Sequence, residues 1–381
     1  MRVGVFHPCL NLCGGGEWVA LNVIDSLRKK GHKVIILTDS KIDQTKFKRT
    51  FGQELKSDGE IVFPFRFFKS GDPHNVYTNA LSSLVLKSKC RIAIDTFTCT
   101  LLPGIDAVYI HYPLFKQFEP EGGSLPSRTI AGLRTNFYYL LHRTYERRDR
   151  KNGKRVLFAN SEFTSEAIRN ALNRDSFLLY PPVSSFFLLS PHSMPRSERN
   201  NQVVTVSRLA PEKNLELIPR IAEQTHHARF LIIGNRQNQE IEAKLSKLIS
   251  DLHVENKVKI MTNVSKEMLR EILLNSKVYL HSAKNEHFGI SIIEAMGCGC
   301  LPIVHDSGGP REFVPPHLRY TNTEEAAARI EQAISDWSPE NGQRMLNIAS
   351  RFNQDAFSEK LLNTLTHSGL LSSEKQGDLD S

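Results

Sequence analysis

The feature that most constrains the fold of this chain is a regular alternation between short β-branched runs and longer segments of helical periodicity. In the first part of the sequence the runs fall at 3–6, 33–37, 91–97 and 108–111, and a helical segment at 18–30 separates the first two. A strand-like run followed by a helical pattern is typical of βαβ units. We therefore predict a parallel sheet with helices on both faces.

The same alternation begins again in the second part of the chain. A stretch rich in proline, serine and asparagine precedes it, as expected of a linker. The length of 381 residues also favours two domains, because a domain averages about 150 residues. The sequence predicts an α/β protein with Rossmann-like domains at 1–190 and 202–352, a linker at 191–201, a helix at 353–368 that completes the first domain, and a disordered tail at 369–381.

Composition sets the broad class of protein. Hydrophobic residues make up 40% and charged residues 24% of the chain, which excludes disorder or a coiled coil as the main architecture. No run of about 18 apolar residues occurs, so we expect a soluble or peripheral protein. The six cysteines match neither a disulfide framework nor a usual zinc site. We interpret them as reduced core thiols in a cytoplasmic compartment.

The charge balance allows three kinds of partner. The 49 Lys and Arg residues exceed the 41 Asp and Glu residues, for a formal net charge of +8. Such an excess suits a phosphorylated substrate, an anionic membrane surface or nucleic acid. Charge alone does not distinguish these three partners, so the prediction depends on the sequence motifs.

Two motifs follow predicted strands, at the edge where α/β sheets bind their ligands. The strand at 3–6 leads to three glycines at 14–16 and then to a helix, where backbone N–H groups can approach an anion. A tight βα turn explains these glycines equally well. The strand at 203–206 leads to Arg208 and Lys213, two cations that could neutralise a diphosphate. A solvated charged loop is the alternative.

The densest signal lies at 285–297. Glu286 precedes a predicted helix that carries Glu294, so both carboxylates are expected at one edge of the sheet. Glu294 lies among apolar residues, where a carboxylate is costly unless it is hydrogen-bonded, and ribose hydroxyls are suitable donors. For Glu286 alone, a helix-capping role is the alternative.

In their order and spacing, these motifs make the chain similar to the family 4 retaining glycosyltransferases of the GT-B fold, from residue 1 to about residue 367. The resemblance implies two Rossmann-like domains that face each other across a cleft. It also implies the following donor contacts: Gly15 and Gly16 through their backbone, Arg208 and Lys213 at the diphosphate, Glu294 at the ribose, and Glu286 at the transferred sugar.

The resemblance extends to further segments. It implies that the main chain near Asn263 and Val264 grips the base, and that His111 is the active-site histidine of an H-x-P motif. Without the family, His111 would be interpreted as a satisfied histidine at the edge of a cleft, and the glycines at 308 and 309 as a simple turn. The other residues that the resemblance places at the donor are His287, Phe288, Gly289, Ile290, Ser307, Gly308 and Gly309.

One departure from common family patterns is informative. His287 stands where many members have glycine. Together with the segments at 111–113 and 304–310, it makes the chain similar to the α-1,2-mannosyltransferases that extend the lipid-linked oligosaccharide on the cytosolic face of the endoplasmic reticulum. That resemblance implies GDP-mannose as donor. The N-terminal membrane anchor usual in that branch is missing from this sequence, so we expect a soluble or peripheral relative.

The resemblance also implies the chemistry. Transfer with retention would proceed by same-face substitution, with the departing phosphate oxygen taking the acceptor proton, and without a cofactor or a metal ion. The only D-x-D motif, at 378–380, lies in the polar tail and is not expected to bind metal.

The acceptor is expected at the first domain. Aromatic and basic residues are mixed at 63–69, and a long predicted helix at 126–154 carries an aromatic stretch before its basic end. If they face outward, these residues suit an anionic lipid surface that presents a lipid-linked glycan; if they face inward, they belong to the core.

Three hypotheses compete with a GDP-mannose-dependent transferase: a UDP-sugar donor such as UDP-glucose or UDP-N-acetylglucosamine, a catalytically silent nucleotide-sugar-binding partner, and a nucleic-acid-binding module. The intact motifs argue against the second, and we expect no nucleic acid.

Overall fold

The chain divides into two compact units. One consists of Met1–Tyr180 together with Phe357–Ser381, and the other of Pro181–Ala356. The structure is a computed structural model, and it describes residues 1–62, 76–99, 101–113, 154–189, 195–234 and 239–372.

The segment before the predicted linker belongs to the second unit. The Leu189 N–H donates to the Gly297 carbonyl (3.1 Å), and the Cys298 thiol donates to the Phe187 carbonyl (3.4 Å). A Cβ on Gly297 would lie 2.8 Å from the Phe187 carbonyl oxygen, so the segment lies directly against the helix that ends at this glycine. These contacts explain why the division between the units precedes the linker that composition indicated.

The first unit is built on a parallel sheet. Among its described residues the strands are β1 (Arg2–Phe6), β2 (Lys33–Thr38), β3 (Gly59–Val62), β4 (Ile92–Asp95), β5 (Ala107–Ile110), β6 (Val156–Ala159) and β7 (Phe177–Leu178). They are ordered β3-β2-β1-β4-β5-β6-β7, and every pair is parallel. The helices are α1 (Gly15–Lys29), α2 (Gln44–Phe51), α3 (Val76–Lys89) and α4 (Glu162–Leu172).

Local sequence signals set these elements. Strands β4, β5 and β6 are buried at every position, as continuous apolar runs predict for a sheet covered on both faces. Helix α4 begins after Ser161, whose hydroxyl accepts the Thr164 N–H (3.0 Å). Helix α2 begins after Asp43, which caps it through the Lys46 N–H, and ends before Gly52, its C-cap. Both ends use the capping residues that are favoured there.

The second unit repeats the plan. Its strands are β8 (Asn200–Val206), β9 (Arg229–Gly234), β10 (Val258–Thr262), β11 (Ser276–His281), β12 (Leu301–His305) and β13 (Arg319–Tyr320), in the order β10-β9-β8-β11-β12-β13 among the described residues. The helices are α5 (Leu217–Glu223), α6 (Gln239–Asp251), α7 (Lys266–Leu274), α8 (Ile290–Gly297), α9 (Thr323–Asp336) and α10 (Pro339–Ala349). Helix α11 (Gln354–His367) follows, and from Phe357 onward it belongs to the first unit.

In both sheets, the order in which successive strands are added changes direction beside the first strand of the unit. The reversal lies between β1 and β4 in the first unit, and between β8 and β11 in the second. Open α/β sheets bind ligands at the carboxyl ends of the strands beside such a reversal. The prediction of two Rossmann-like domains is confirmed, and the topology indicates a ligand site at these edges.

Some predicted segments lie outside the described residues. These are the aromatic stretch at 63–69, the long helix at 126–154 up to residue 153, and the tail from residue 373. The six cysteines are all free and buried. In the part of the chain that the structure describes, no helix combines the length and apolar character needed to cross a membrane.

Candidate functional site

The candidate residues of the second unit gather at the carboxyl ends of its strands. Lys213 follows β8, and Glu286 follows β11. The Lys213 ammonium donates to Oε2 of Glu286 (2.6 Å), and Nε2 of His281 lies 3.0 Å from the same oxygen. The Ser282 hydroxyl donates to the Lys213 carbonyl (2.6 Å), which fixes the loop after β8 against β11. We call Lys213, His281 and Glu286 the Lys–His–Glu cluster.

Charge pairing controls the ionisation of Glu286. Burial opposes ionisation of this carboxyl, but the hydrogen bond and charge of His281, together with the charge of Lys213, outweigh burial and hold the pKa well below its usual value. The side chains of Lys213 and Glu286 are 20% and 14% exposed, so solvent screens the pair only weakly. Glu286 is therefore an anion at neutral pH, and Lys213 is a cation poised at the edge of the sheet.

Arg208 is placed differently from Lys213. Its guanidinium pairs with Glu212 four residues later (2.9 Å), and both side chains are more than half exposed. An exposed pair of this kind contributes little to stability. The guanidinium is therefore available to exchange Glu212 for an anionic ligand at little cost.

Glu294 lies within α8 and is half-buried. Burial raises its pKa to about 7, and the positive charge of Lys266 only partly opposes this. No described residue donates a hydrogen bond to its carboxylate. A partly accessible carboxyl without a donor is suited to accept hydrogen bonds from a ligand.

Two loops at this edge are tied together. The Gly309 N–H donates to the Glu286 carbonyl (2.8 Å), and the Asn285 N–H donates to the Ser307 hydroxyl (2.8 Å). Gly308 has φ +71, and an added Cβ would overlap the Glu286 carbonyl oxygen. The N–H groups of Asn285 and Gly309 are thus used internally, whereas the Gly308 N–H has no acceptor among the described residues.

The segment 287–290 packs its aromatic side chain into the core. The Phe288 side chain is buried against Phe313 and Phe352, with ring centroids 5.4 and 5.6 Å away. The His287 N–H donates to Oε1 of Glu286 (3.1 Å). Gly289 has φ +93, and a Cβ there would lie 2.5 Å from the Ile292 side chain. The Phe288 ring is therefore a core group, and only main-chain atoms of this residue could reach a ligand.

The candidate base-binding residues follow β10. Asn263 is exposed and adopts a left-handed conformation with φ +58, and Val264 is half-buried. Ser265 then caps α7 by accepting the Met268 N–H (3.1 Å). The main chain thus turns sharply at the edge of the sheet, where its polar groups can meet a ligand.

In the first unit, His111 follows β5 and lies beside Gly16. Its Nε2 donates to the Thr96 carbonyl (3.0 Å), and its own carbonyl accepts the Asn160 amide (2.9 Å). A Cβ on Gly16 would lie 3.5 Å from His111 Nε2. Gly15 and Gly16 are the first two residues of α1, so their N–H groups belong to the unpaired first turn of a helix.

A buried network that the sequence did not reveal supports this turn. Oε2 of Glu17 accepts the Gly14 N–H (2.6 Å), and Oε1 lies 3.2 Å from Nε2 of His7, whose Nδ1 lies 2.8 Å from the Thr96 hydroxyl. Burial opposes ionisation of Glu17, but the hydrogen bonds from His7 and Gly14 keep its pKa below the usual value. Thr96 thus connects the glycine turn with His111. The sequence feature that could have indicated this network is the position of His7, which directly follows β1.

Sequence reasoning also missed His281. It is the last residue of β11, so its position at a carboxyl end was the only signal. Across the described residues, no group of three His, Cys, Asp or Glu side chains is placed to hold a metal ion.

Comparisons with known proteins show what the chain is similar to. The family model for "Glycosyl transferases group 1" matches residues 191–352. A Dictyostelium discoideum protein named GDP-Man:Man(3)GlcNAc(2)-PP-Dol alpha-1,2-mannosyltransferase is 24% identical over 95% of this chain and 84% of its own length. A Xenopus laevis protein of the same name is 28% identical over 83% of this chain and 75% of its own length.

A solved structure shows the same fold. Anabaena Alr3699/HepE, in complex with UDP and glucose, matches with a TM-score of 0.70 at 17% identity, over 96% of this chain and 100% of that chain. Identity this low is informative about the fold alone. The two Rossmann-like units are those of a GT-B fold, and the expectation of an enzyme is met by the family domain and the named relatives. The chain is a glycosyltransferase that carries a group 1 glycosyl transferase domain at residues 191–352.

Proposed function

We propose that the chain transfers mannose from GDP-mannose to a hydroxyl group of a lipid-linked oligosaccharide, with retention of configuration. The observation that carries the proposal is the Lys–His–Glu cluster at the strand edge of the group 1 domain. There a cation for the diphosphate contacts a carboxylate for the sugar. The names of the relatives support the choice of donor and acceptor.

In this proposal, Lys213 and Arg208 bind the diphosphate. Each can exchange its present carboxylate partner for phosphate oxygens, which carry more charge. Glu286 accepts hydrogen bonds from the transferred mannose, and Glu294 accepts them from the ribose hydroxyls. The Gly308 N–H is one more donor for the sugar or phosphate.

Further donor contacts are proposed through main chain and from the first unit. The base is held by main chain at Asn263 and Val264, where the chain turns beyond β10. His111 and the N–H groups of Gly15 and Gly16 have the roles that the family resemblance implies. Gly16 lies close to His111, and this proximity supports a shared role for the two residues at the donor.

The reaction breaks the bond between C1 of mannose and the diphosphate oxygen, and the electron pair leaves with that oxygen. The acceptor hydroxyl oxygen bonds to C1 on the same face, and its proton passes to the departing phosphate oxygen. Negative charge grows on the diphosphate as the bond breaks, so Lys213 and Arg208 stabilise the transition state more than the ground state. These cations can serve the leaving group without a metal ion.

We also propose that the enzyme works at the cytosolic face of a membrane as a peripheral protein.

The donor assignment is tested by calorimetry and thermal shift with GDP, UDP, GDP-mannose and UDP-glucose, with no metal added. A ligand that binds the native state raises the unfolding temperature by mass action. We expect stabilisation by GDP and GDP-mannose only. Preference for uridine nucleotides would replace the proposal by a UDP-sugar transferase, and no response to any of the four would favour a silent protein.

Lys213→Met tests the leaving-group role. Loss of the ammonium should lower kcat/KM by about a hundredfold or more, because one interaction with developing charge commonly contributes that much. The matched control is Lys277→Met, since Lys277 is a half-buried lysine of the same unit that donates to Asn201 (2.7 Å). GDP release is measured with a synthetic diphosphate-linked Man(3)GlcNAc(2) lipid as acceptor. Equal rates for the two variants would show that Lys213 does not stabilise the leaving group.

A further inference from the structure

His281 occupies an unusual position at the end of β11. It is 4% exposed. Its Nε2 lies 3.0 Å from Oε2 of Glu286, whereas its Nδ1 is buried and has no partner among the residues that the structure describes. Buried ring nitrogens usually find a partner, so one without a partner calls for an explanation. In the described structure, the only polar contact of the imidazole is with Glu286.

The two oxygens of Glu286 have different surroundings. Oε2 lies next to both Lys213 Nζ (2.6 Å) and His281 Nε2 (3.0 Å). Among the residues that the structure describes, Oε1 accepts only the His287 N–H (3.1 Å). A carboxylate oxygen can accept about two hydrogen bonds, so Oε2 is fully used and Oε1 can accept one more. A sugar hydroxyl would therefore bind at Oε1.

Lys213 cannot hold Oε2 and a diphosphate equally well. A diphosphate carries more negative charge than a carboxylate, so the ammonium is expected to move toward the donor when it binds. The 14% exposed carboxylate of Glu286 then loses its nearest cation. A largely buried carboxylate that loses a partner is destabilised and can rotate away from its position.

We propose that His281 is a positioning residue that holds the Glu286 carboxylate in place while Lys213 binds the donor diphosphate; this rests on the proposed function of the site. The Nε2–H donates to Oε2, and Oε1 stays directed at the transferred sugar. His281 acts through Glu286 and does not itself touch the reacting atoms. This role also explains why the imidazole is placed where its second nitrogen has no partner.

The test compares His281→Leu with His281→Gln. Leucine fills a similar volume without a donor, whereas the glutamine amide can place an N–H near the Nε2 position. With the sugar nucleotide that the wild type turns over, the Leu variant should lose about ten- to a hundredfold in kcat, as expected when a reacting group is misplaced. Affinity for the free nucleoside diphosphate should change by less than about twofold, because that ligand lacks the transferred sugar that Glu286 is proposed to hold. The Gln variant should recover most of the rate.

The pH profile gives a second readout. His281 helps to keep Glu286 ionised, so its loss should raise the pKa of Glu286 and move the acid limb of kcat to higher pH. The other polar groups that face this carboxylate are Lys213 from the loop after β8, the N–H and imidazole of His287 from its own loop, and the Tyr279 hydroxyl from β11. All of them are retained in the Leu and Gln variants.

Tyr320→Phe is the structural control. The Tyr320 hydroxyl donates to the His281 carbonyl (3.1 Å), so this variant disturbs the same strand end without touching the imidazole. It should lower the unfolding temperature and leave the acid limb in place. A Leu variant with the wild-type kcat, or a Gln variant no more active than the Leu variant, overturns the positioning role. Wild-type turnover with a UDP-sugar overturns the donor assignment alone, because the comparison uses whichever donor is turned over.

Discussion

At the scale of single residues, the second unit holds two carboxylates in opposite states. Glu286 keeps a pKa well below its usual value because His281 and Lys213 outweigh the effect of burial. Glu294 has no donor among the described residues, and burial raises its pKa from the usual 4.5 to about 7. Environments that separate the pKa values of neighbouring carboxyls commonly mark separate roles. An ionised Glu286 suits the proposed contact with sugar hydroxyls, whereas Glu294 could obtain its hydrogen bonds from the proposed ribose.

The raised pKa of Glu294 predicts a pH-dependent affinity for GDP. If ribose hydroxyls donate to this carboxylate, binding favours the ionised form and releases a proton below pH 7. The association constant for GDP should therefore rise as pH increases toward about 7 and then level off. Glu294→Gln should bind more weakly and lose most of this dependence. Calorimetry between pH 5.5 and 8 measures both, and the exposed Glu267→Gln in the first turn of α7 is the control.

The same residue makes a prediction for the unliganded protein. The folded chain holds the Glu294 proton more tightly than the unfolded chain, so this group's contribution to the unfolding free energy is lost as pH rises from 4.5 to about 7. Glu294→Gln should remove that loss, which urea titrations at the two ends of the range can detect. An unchanged pH dependence in both assays would show that the carboxyl is already ionised in the apoprotein.

At the scale of elements, the site depends on two loops that share hydrogen bonds. Gly308 lies where the loop after β12 meets Glu286, and its φ of +71 is combined with direct contact to the Glu286 backbone. Gly31 has a similar φ of +80, but an added Cβ there would meet nothing within 4 Å. A comparison of alanine variants at the two glycines therefore separates the cost of backbone strain from the cost of displacing a neighbouring residue.

Gly308→Ala should abolish most activity, because the new Cβ must push the Glu286 backbone away and displace its carboxylate. Gly31→Ala should cost only about 1 kcal/mol of stability, the strain of a left-handed alanine, with the wild-type kcat. Steady-state rates and thermal unfolding of both variants give the comparison. Similar kcat values in the two would indicate that the loops adjust without moving Glu286.

The elements also show what the sequence could predict. Strands such as β8 and β9 contain continuous β-branched or apolar runs, so pattern alone located them and the Rossmann-like order followed. Strands β7 and β13 have two residues each and leave no periodic signal. Helix α2 was missed although Asp43 and Gly52 mark its ends.

The candidate site was predicted in part. Lys213 and Glu286 were located from their motifs, but their pairing joins residues 73 positions apart, and such a contact is set by the register of β8 on β11. His281 and the network of His7 with Glu17 were missed because a single histidine at a strand end carries no pattern of its own.

At the scale of the whole molecule, the net charge of +8 bears on where the enzyme meets its acceptor. The proposed acceptor, a lipid-linked oligosaccharide, stays in the membrane, so an enzyme that uses it has to come to the membrane surface. Basic residues near an anionic bilayer contribute about 1 kcal/mol each, and salt screens this attraction. The densest basic run of the sequence includes Arg147, Arg148 and Arg150, which lie outside the described residues.

Replacing Arg147, Arg148 and Arg150 by glutamine should therefore reduce binding to vesicles that contain phosphatidylserine by well over tenfold, since three such contacts together contribute about 3 kcal/mol. The matched control replaces Lys244, Lys247 and Lys259, three exposed lysines of the second unit, and lowers the net charge by the same amount. If long-range attraction by the net charge were sufficient, the two triple variants would bind equally, and the arginine run would have no special role. Co-sedimentation at low and high salt distinguishes these cases. A large loss for the arginine variant alone, greatest at low salt, would identify the run as the membrane contact through which the enzyme reaches a lipid-linked acceptor.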